Sequence, residues 1–342
     1  MLHNCMKVVY SRAYLDHQDS SGWHPESPGR LNAITALMAR EFPEADVESP
    51  GEVGPDDIRH ISAVHPRVYL DSLRERRVGY LDLNTYYCQS TYDTALLAAT
   101  GALRAADHAW ERRAAMALVR PPGHHASSTR FDGFCYINNI AVAARYLLDA
   151  RGASRMAIVD LDAHHGNGTH AIFEHRADVL YISTHHWGIF PGTGDANWIG
   201  EDEGRGHSVC IPFLAGAGDS SFGLAMDRII APILRSYAPD AILVSLGTDT
   251  HYMDPLAGLT LSSPGHESLY LRLGDLANEI CSGRIAYFLE GGYHNETLAE
   301  CVLGVISGGK TPTEHNDVPD DSQRGGEVVE NVLGIQATHW RL

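Results

Sequence analysis

The chain has 342 residues, 44% hydrophobic and 20% charged, enough to bury a large core. This balance excludes a disordered chain, a collagen and a disulfide scaffold. With 26 Lys+Arg against 43 Asp+Glu, the net charge of −17 argues against direct nucleic-acid binding, because phosphates would be repelled.

In chain order, the pattern predicts a strand at 7–11, helices at 31–41 and 91–110, a strand at 116–120 and a helix at 138–150. Strands follow at 156–160 and 179–184, then a helix at 225–237, a strand at 241–246, a helix at 267–281, a strand at 284–289 and a helix at 296–306. A polar, loop-like stretch at 307–325 precedes a last amphipathic segment at 327–340. Strands that are apolar throughout and separated by helices indicate a parallel sheet covered on both faces. No internal repeat or long linker divides the chain, so one α/β domain over 1–342 is expected.

The N-terminus does not read as a signal peptide, and no 18-residue apolar run offers a membrane span. The six cysteines form no CxxC and no framework spacing, so reduced thiols and a cytoplasmic location are expected. Lys7 and Lys310 are the only lysines, which leaves little for Schiff-base chemistry. Twenty histidines invite a search for metal ligands and acid/base groups.

The polar clusters follow the predicted strands: Arg120 leads into PPGHH, Val159 into DLDAHHGNG, Ile182 into STHHWG, Leu246 into GTD and Leu289 into EGGY. The ligand crevice of an open parallel sheet lies at the carboxyl ends of its strands, so these clusters should converge. Asp162 and His164, two apart on an extended strand end, aim at the same side, with Asp160 one step deeper. A carboxylate and an imidazole so placed suit a borderline divalent ion such as Zn2+. Read singly, the stretch is equally a capped strand-to-helix turn. Asp249 completes a three-ligand count, which leaves the open position a catalytic zinc requires.

His124 and His125 follow two prolines and Gly123, and at a strand end beside a metal they could serve as base and acid. Asp160 and Asn167 are available as orienting partners, one for each His. Tyr293, after Gly291 and Gly292, can donate to a developing oxyanion. Phe134 and Phe190 could line a narrow apolar channel, whereas Cys135 reads as core packing. His24-Pro25-Glu26 reads as a turn into the first helix.

Together these motifs resemble the histone deacetylase superfamily, zinc amidohydrolases on the arginase–deacetylase fold. The resemblance rests on HPESPGRL (24–31), RPPGHHA (120–126), GFCYINN (133–139), VDLDAHHGNGT (159–169), FPGTGD (190–195), GTDTHYMDPLAGLTLS (247–262) and LEGGY (289–293). They occur in family order over about residues 7–340, and Asn167 and LEGGY look like class II members, including histone deacetylase-like amidohydrolases.

The resemblance implies one domain around an eight-stranded parallel sheet. It implies a catalytic Zn2+ on Asp162, His164 and Asp249, with Fe2+ acceptable to the same donors. His125 would be the base and later the acid, His124 an electrostatic assistant above Asp160, and Tyr293 the oxyanion donor. Phe134 and Phe190 would flank an acyl channel with Gly133, Leu256, Gly291 and Gly292 about it. The family also implies a structural K+ at Asp160, Asp162, His164, Ser183 and Thr184. A second K+ site would involve Phe173, Arg176 and Val179, with His207 where an aromatic is common.

The implied partner is an acylated lysine, peptide or acylated amine, and a homo-oligomer is among the expected assemblies. Leu256 stands where polyamine-specific relatives place Glu, which weakens an acetylpolyamine reading that the net charge of −17 favours. A non-catalytic acyl-ligand binder and an arginase-like bimetal hydrolase are the other readings. The intact ligand set and Tyr293 count against the first, and the shortage of bridging carboxylates counts against the second.

Overall fold

The computed structural model describes residues 6–310 and 322–342, so most of the expected loop at 307–325 lies outside the described residues. The strands are β1 (Lys7–Tyr10), β2 (Asp46–Glu48), β3 (Gly79–Tyr80), β4 (Tyr86–Tyr87), β5 (Ala115–Leu118), β6 (Met156–Asp160), β7 (Val179–His186), β8 (Ser208–Phe213), β9 (Ala241–Leu246) and β10 (Ile285–Leu289). Eight of them form one sheet in the order β2-β1-β5-β10-β9-β6-β7-β8, and β3 pairs with β4 in a separate antiparallel ribbon. Every pairing in the large sheet is parallel, and helices flank it.

The four central strands, β5, β10, β9 and β6, are buried at every residue. That explains their lack of alternation, since a strand covered on both faces has no polar side. From β5 the chain passes over two places to β6 and then steps outward through β7 to β8. It returns to lay β9 beside β6, and β10 between β9 and β5. Strand order reverses at this point, and the crevice above the carboxyl ends of β5, β10, β9 and β6 is where such sheets bind ligands.

The two missed sheet strands, β2 and β8, are the edges. β2 is three residues long and carries two acids, and β8 contains Pro212, which an edge tolerates because one side needs no ladder donors. β5 stops at Leu118, two residues before Arg120. β7 runs on to His186 because His185 and His186 pair with Pro212 and Phe213, so these histidines are strand residues and not a loop. The helix expected at 225–237 is broken into Asp219–Ala225, a π turn at Met226–Ile230 and Ala231–Tyr237. Pro232 has no N–H to continue a regular ladder there. The last helix spans Ser322–Gln336, starting earlier than expected.

Candidate metal and catalytic site

Beyond the ends of β6 and β9, Asp162, His164 and Asp249 bring donor atoms within 4.8 Å of one another. His164 Nδ1 lies 2.9 Å from Asp249 Oδ2 and 3.2 Å from Asp162 Oδ1. Backbone amides hold both carboxylates in place. Gly291 N donates to Asp162 Oδ2 at 2.7 Å, and Ala163 N to Asp249 Oδ1 at 2.9 Å. Position 291 has to be glycine, because a Cβ there would run into both carboxylates.

Both acids are fully buried, and among the described residues neither pairs with a Lys or Arg. Burial works against a charge on His164, but Asp162 and Asp249 outweigh it and hold its pKa up to about 10. Burial and the neighbouring Asp162 push Asp249 up to about 7. Two buried carboxylates competing for one imidazole proton form a site short of positive charge. This hard-and-borderline donor set fits a divalent cation.

His124 and His125 follow β5, where Glu290 Oε2 accepts from Gly123 N at 2.7 Å and His124 N at 3.1 Å. His124 Nδ1 lies 3.2 Å from Asp160 Oδ2, an oxygen that also accepts from the Tyr181 hydroxyl at 3.2 Å. Burial opposes its charge, but Asp162, Asp160 and Glu290 outweigh that and raise its pKa to about 10. His125 Nδ1 instead meets Asn167 Oδ1 at 2.7 Å. Burial, then the charges on His124 and His164, hold His125 well below the ordinary imidazole range. Two adjacent imidazoles are thus driven to opposite protonation states.

Tyr293 follows β10. Its backbone N–H donates to Asp254 Oδ2 at 2.6 Å, and Leu256 N donates to Asp254 Oδ1 at 2.9 Å. Arg30 Nε donates to Gly292 O at 2.7 Å, and its guanidinium sits 5.2 Å from the Tyr293 ring centroid. Burial and the charge of Asp249 push the phenol pKa well up, so the hydroxyl keeps its proton to donate.

Phe134 meets Tyr293 edge-on at 5.9 Å, and Phe190 lies 5.0 Å from His125 and 6.3 Å from His164. Gly133, at φ +48°, leaves room for the His125 ring and Phe190, which a Cβ would strike. Phe190 and Leu256 are 38% and 41% exposed, as befits a rim, whereas Gly291 and Gly292 are buried.

At the first expected monovalent-cation position, Ser183 Oγ lies 3.0 Å from His185 Nδ1, and the buried Thr184 hydroxyl has no hydrogen-bond partner among the described residues. Asp160 sits beside Ser183 across the β6–β7 ladder. At the second, Phe173 O accepts from Arg176 N at 2.9 Å, close to the start of β7 at Val179. His207 O accepts from Tyr181 N at 2.8 Å, and its ring lies 5.7 Å from Tyr237 and 5.6 Å from Trp340.

Four further residues support the site: Glu26, expected only as part of a turn, and Arg30, Asp254 and Glu290, which no motif role singles out. Glu26 is fully buried and ion-paired to Arg120 and Arg30, and Arg30 also donates to Glu290 O, so the N-terminal turn props the loop that carries Tyr293. The Glu26–Arg30 spacing of four on a helix start was the available signal, but it is equally common on solvated helices.

Comparison with known proteins gives the family. The histone deacetylase domain matches residues 24–308. A probable deacetylase of Archaeoglobus fulgidus is 38% identical over 307 residues, covering 88% of this chain and 85% of the relative. The histone deacetylase-like amidohydrolase of Pseudomonas aeruginosa is 39% identical over 291 residues, covering 82% and 75%. The crystal structure of the HDA15 HD domain aligns with a TM-score of 0.88 at 32% identity, covering 98% of this chain and 97% of that one. Fold and family define an α/β domain of the hydrolase class, with the candidate site at the strand ends. The chain belongs to the histone deacetylase family.

Proposed function

We propose that this protein is a Zn2+-dependent amidohydrolase that removes acetyl or a related acyl group from the ε-amine of lysine or a lysine-like amine. The observation that carries this is the meeting of Asp162, His164 and Asp249 beside a neutral His125 whose Nδ1 is held by Asn167. Bound Zn2+, or Fe2+ at the same donors, supplies Lewis-acid polarisation of the acyl carbonyl and of the attacking water.

The protein's own residues handle the rest. Phe134 and Phe190 flank the aliphatic chain and exclude solvent. His125 keeps its Nδ1 proton on Asn167 and takes the water proton at Nε2, then returns a proton to the amine nitrogen as the C–N bond breaks. Tyr293 donates to the carbonyl oxygen as negative charge grows there. His124, charged over Asp160, adds a fixed positive field.

K+ held by backbone oxygens of Asp160, Asp162 and His164 with the Ser183 hydroxyl, beside Thr184, would stiffen the strand ends. The second K+ position, around Phe173, Arg176, Val179 and His207, belongs to the same proposal. The five described cysteines are free, which supports a reducing, cytoplasmic setting. Among the described residues no helix is long and apolar enough to cross a membrane.

The test sets the Zn2+-loaded protein on an acetyl-lysine peptide and on N-acetylated polyamines side by side, with Tyr293→Phe as control. Turnover of the peptide that collapses in Tyr293→Phe is expected. Activity confined to polyamines would move the assignment to a small-molecule amidohydrolase. Stoichiometric Zn2+ with no turnover of any acyl-amine would overturn it.

A further inference from the structure

A second group of ligating side chains lies outside the catalytic set. His165, His170 and Cys210 bring donor atoms within 4.8 Å of one another, and all three are buried. They come from separate elements: the turn after β6, the helix Asn167–Phe173, and β8. His165 follows the catalytic-site His164 directly but engages a different set of partners.

The geometry is specific. His165 Nε2 lies 3.1 Å from His170 Nδ1 and 3.7 Å from Cys210 Sγ, and His170 Nδ1 lies 4.0 Å from Cys210 Sγ. Tetrahedral coordination at ordinary Zn–N and Zn–S bond lengths sets ligand atoms apart by about 3.3 Å for N···N and about 3.6 Å for N···S. The triangle needs only a few tenths of an ångström of adjustment. His165 is also oriented as a ligand would be: its Nδ1 is engaged by Thr193 Oγ1 at 2.8 Å, which leaves Nε2 facing the other two donors.

We propose that His165, His170 and Cys210 form a second, non-catalytic site for a thiophilic transition ion, Zn2+ or Cu+, bound through one thiolate and two neutral imidazoles. Soft thiolate with imidazole selects these ions over Mg2+ or Ca2+. Binding releases the Cys210 thiol proton to solvent, and no other bond changes. Cu+ would leave the cluster neutral. Zn2+ would leave it singly positive, within the field of Asp195, whose charge acts on Cys210.

Such a site would work as a brace. It would tie β8 and the helix Asn167–Phe173 to the turn after β6. Through the His165–Thr193 bond it would reach the 190–194 loop that carries Phe190, a wall of the proposed acyl channel.

Co2+ separates this site from the catalytic one, because Asp162, His164 and Asp249 contain no sulfur. Metal-free protein, kept reduced, is titrated with Co2+, and in a separate arm with Cu+ under nitrogen. An intense near-ultraviolet thiolate-to-Co2+ charge-transfer band is expected, with about two equivalents of Zn2+ or Co2+ held per chain after dialysis. Cys210→Ser should lose the band and one equivalent. Asp249→Asn should keep the band and lose the other equivalent, so failure at one site is distinguishable from failure at the other. His170→Gln is a second variant should Cys210→Ser fold poorly. Tight retention of Cu+ with no Co2+ band would assign the site to Cu+. Absence of both the band and Cys210-dependent Cu+ retention, in folded protein, would overturn the proposal.

Discussion

His125 Nδ1 lies 2.7 Å from an amide oxygen, that of Asn167, and the carboxylate of Asp132 stands one step further back, 3.4 Å from Asn167 Nδ2. The amide is therefore oriented from behind, and the imidazole keeps its proton on Nδ1 without a full negative charge against it. Asn167→Asp would put that charge in contact and favour the imidazolium. Since the proposed base, His125, must be neutral, the acidic limb of kcat/KM against pH should move to higher pH by about one unit. An unchanged limb would show that His125 is not the titrating base.

Asp254 holds the backbone of Tyr293 and that of Leu256 with its two oxygens. Asp254→Ala should free the Tyr293 loop and lower kcat by about 10–100-fold with little change in KM. Tyr293→Phe, which removes the proposed oxyanion donor itself, should cost about 10²–10³. Steady-state kinetics of both variants tests this order, and an Asp254→Ala effect confined to KM would contradict it.

Exhaustive chelation should abolish turnover, and added Zn2+ should restore it. Asp249→Asn should need far more added metal, because it removes one of the two anionic donors among the three proposed ligands. Titration of activity against free Zn2+ gives the comparison, and full activity in chelated protein would exclude the metal reading.

The Glu26 carboxyl is buried, which opposes its charge, but Arg120 and Arg30 hold it down to about 2. Its folded pKa lies below the unfolded value of about 4.3, so its stabilisation is fully present above that pH and drains away as pH falls toward 2. Glu26→Gln should cost about 3–5 kcal/mol at pH 7, since two buried guanidiniums lose their anion. It should also flatten the decline below pH 4.5. Urea denaturation at pH 7, 4 and 3 measures both.

Leu256 is exposed at the rim and uncharged. Leu256→Glu should raise kcat/KM for an N-acetylated polyamine relative to an acetyl-lysine peptide by about fivefold, an exposed ion pair's worth, and the gain should shrink with salt. A ratio that does not move would mean that the rim does not select the substrate.

The centre of this architecture was legible because its four inner strands are apolar throughout and end in polar clusters. Asp160, Asp162, Asp249 and Tyr293 could be assigned to one edge before their contacts were known. The partners Asp160 for His124 and Asn167 for His125 were also foreseen. The edges were not, because β2 is three residues long with two acids and the run of β8 is broken by Pro212. The roles of Glu26, Asp254 and Glu290 went unread for a different reason. Each is a carboxylate whose work is to satisfy backbone amides or guanidiniums from distant segments, and an acid beside a turn gives no sign of whether it is solvated or buried.

The order of the sheet has a consequence for how the chain assembles. β9 and β10, which lie between β5 and β6, are the last strands of the sheet to leave the ribosome. Until they are inserted, the earlier strands are two separate ribbons with bare inner edges, open to wrong pairing. Asp249 and Tyr293 ride on those final strands. Closing the gap in the sheet and bringing Asp249 and Tyr293 to Asp162 and His164 at its edge are therefore one late, long-range event, and a truncated nascent chain exposes sticky edges with the proposed site incomplete.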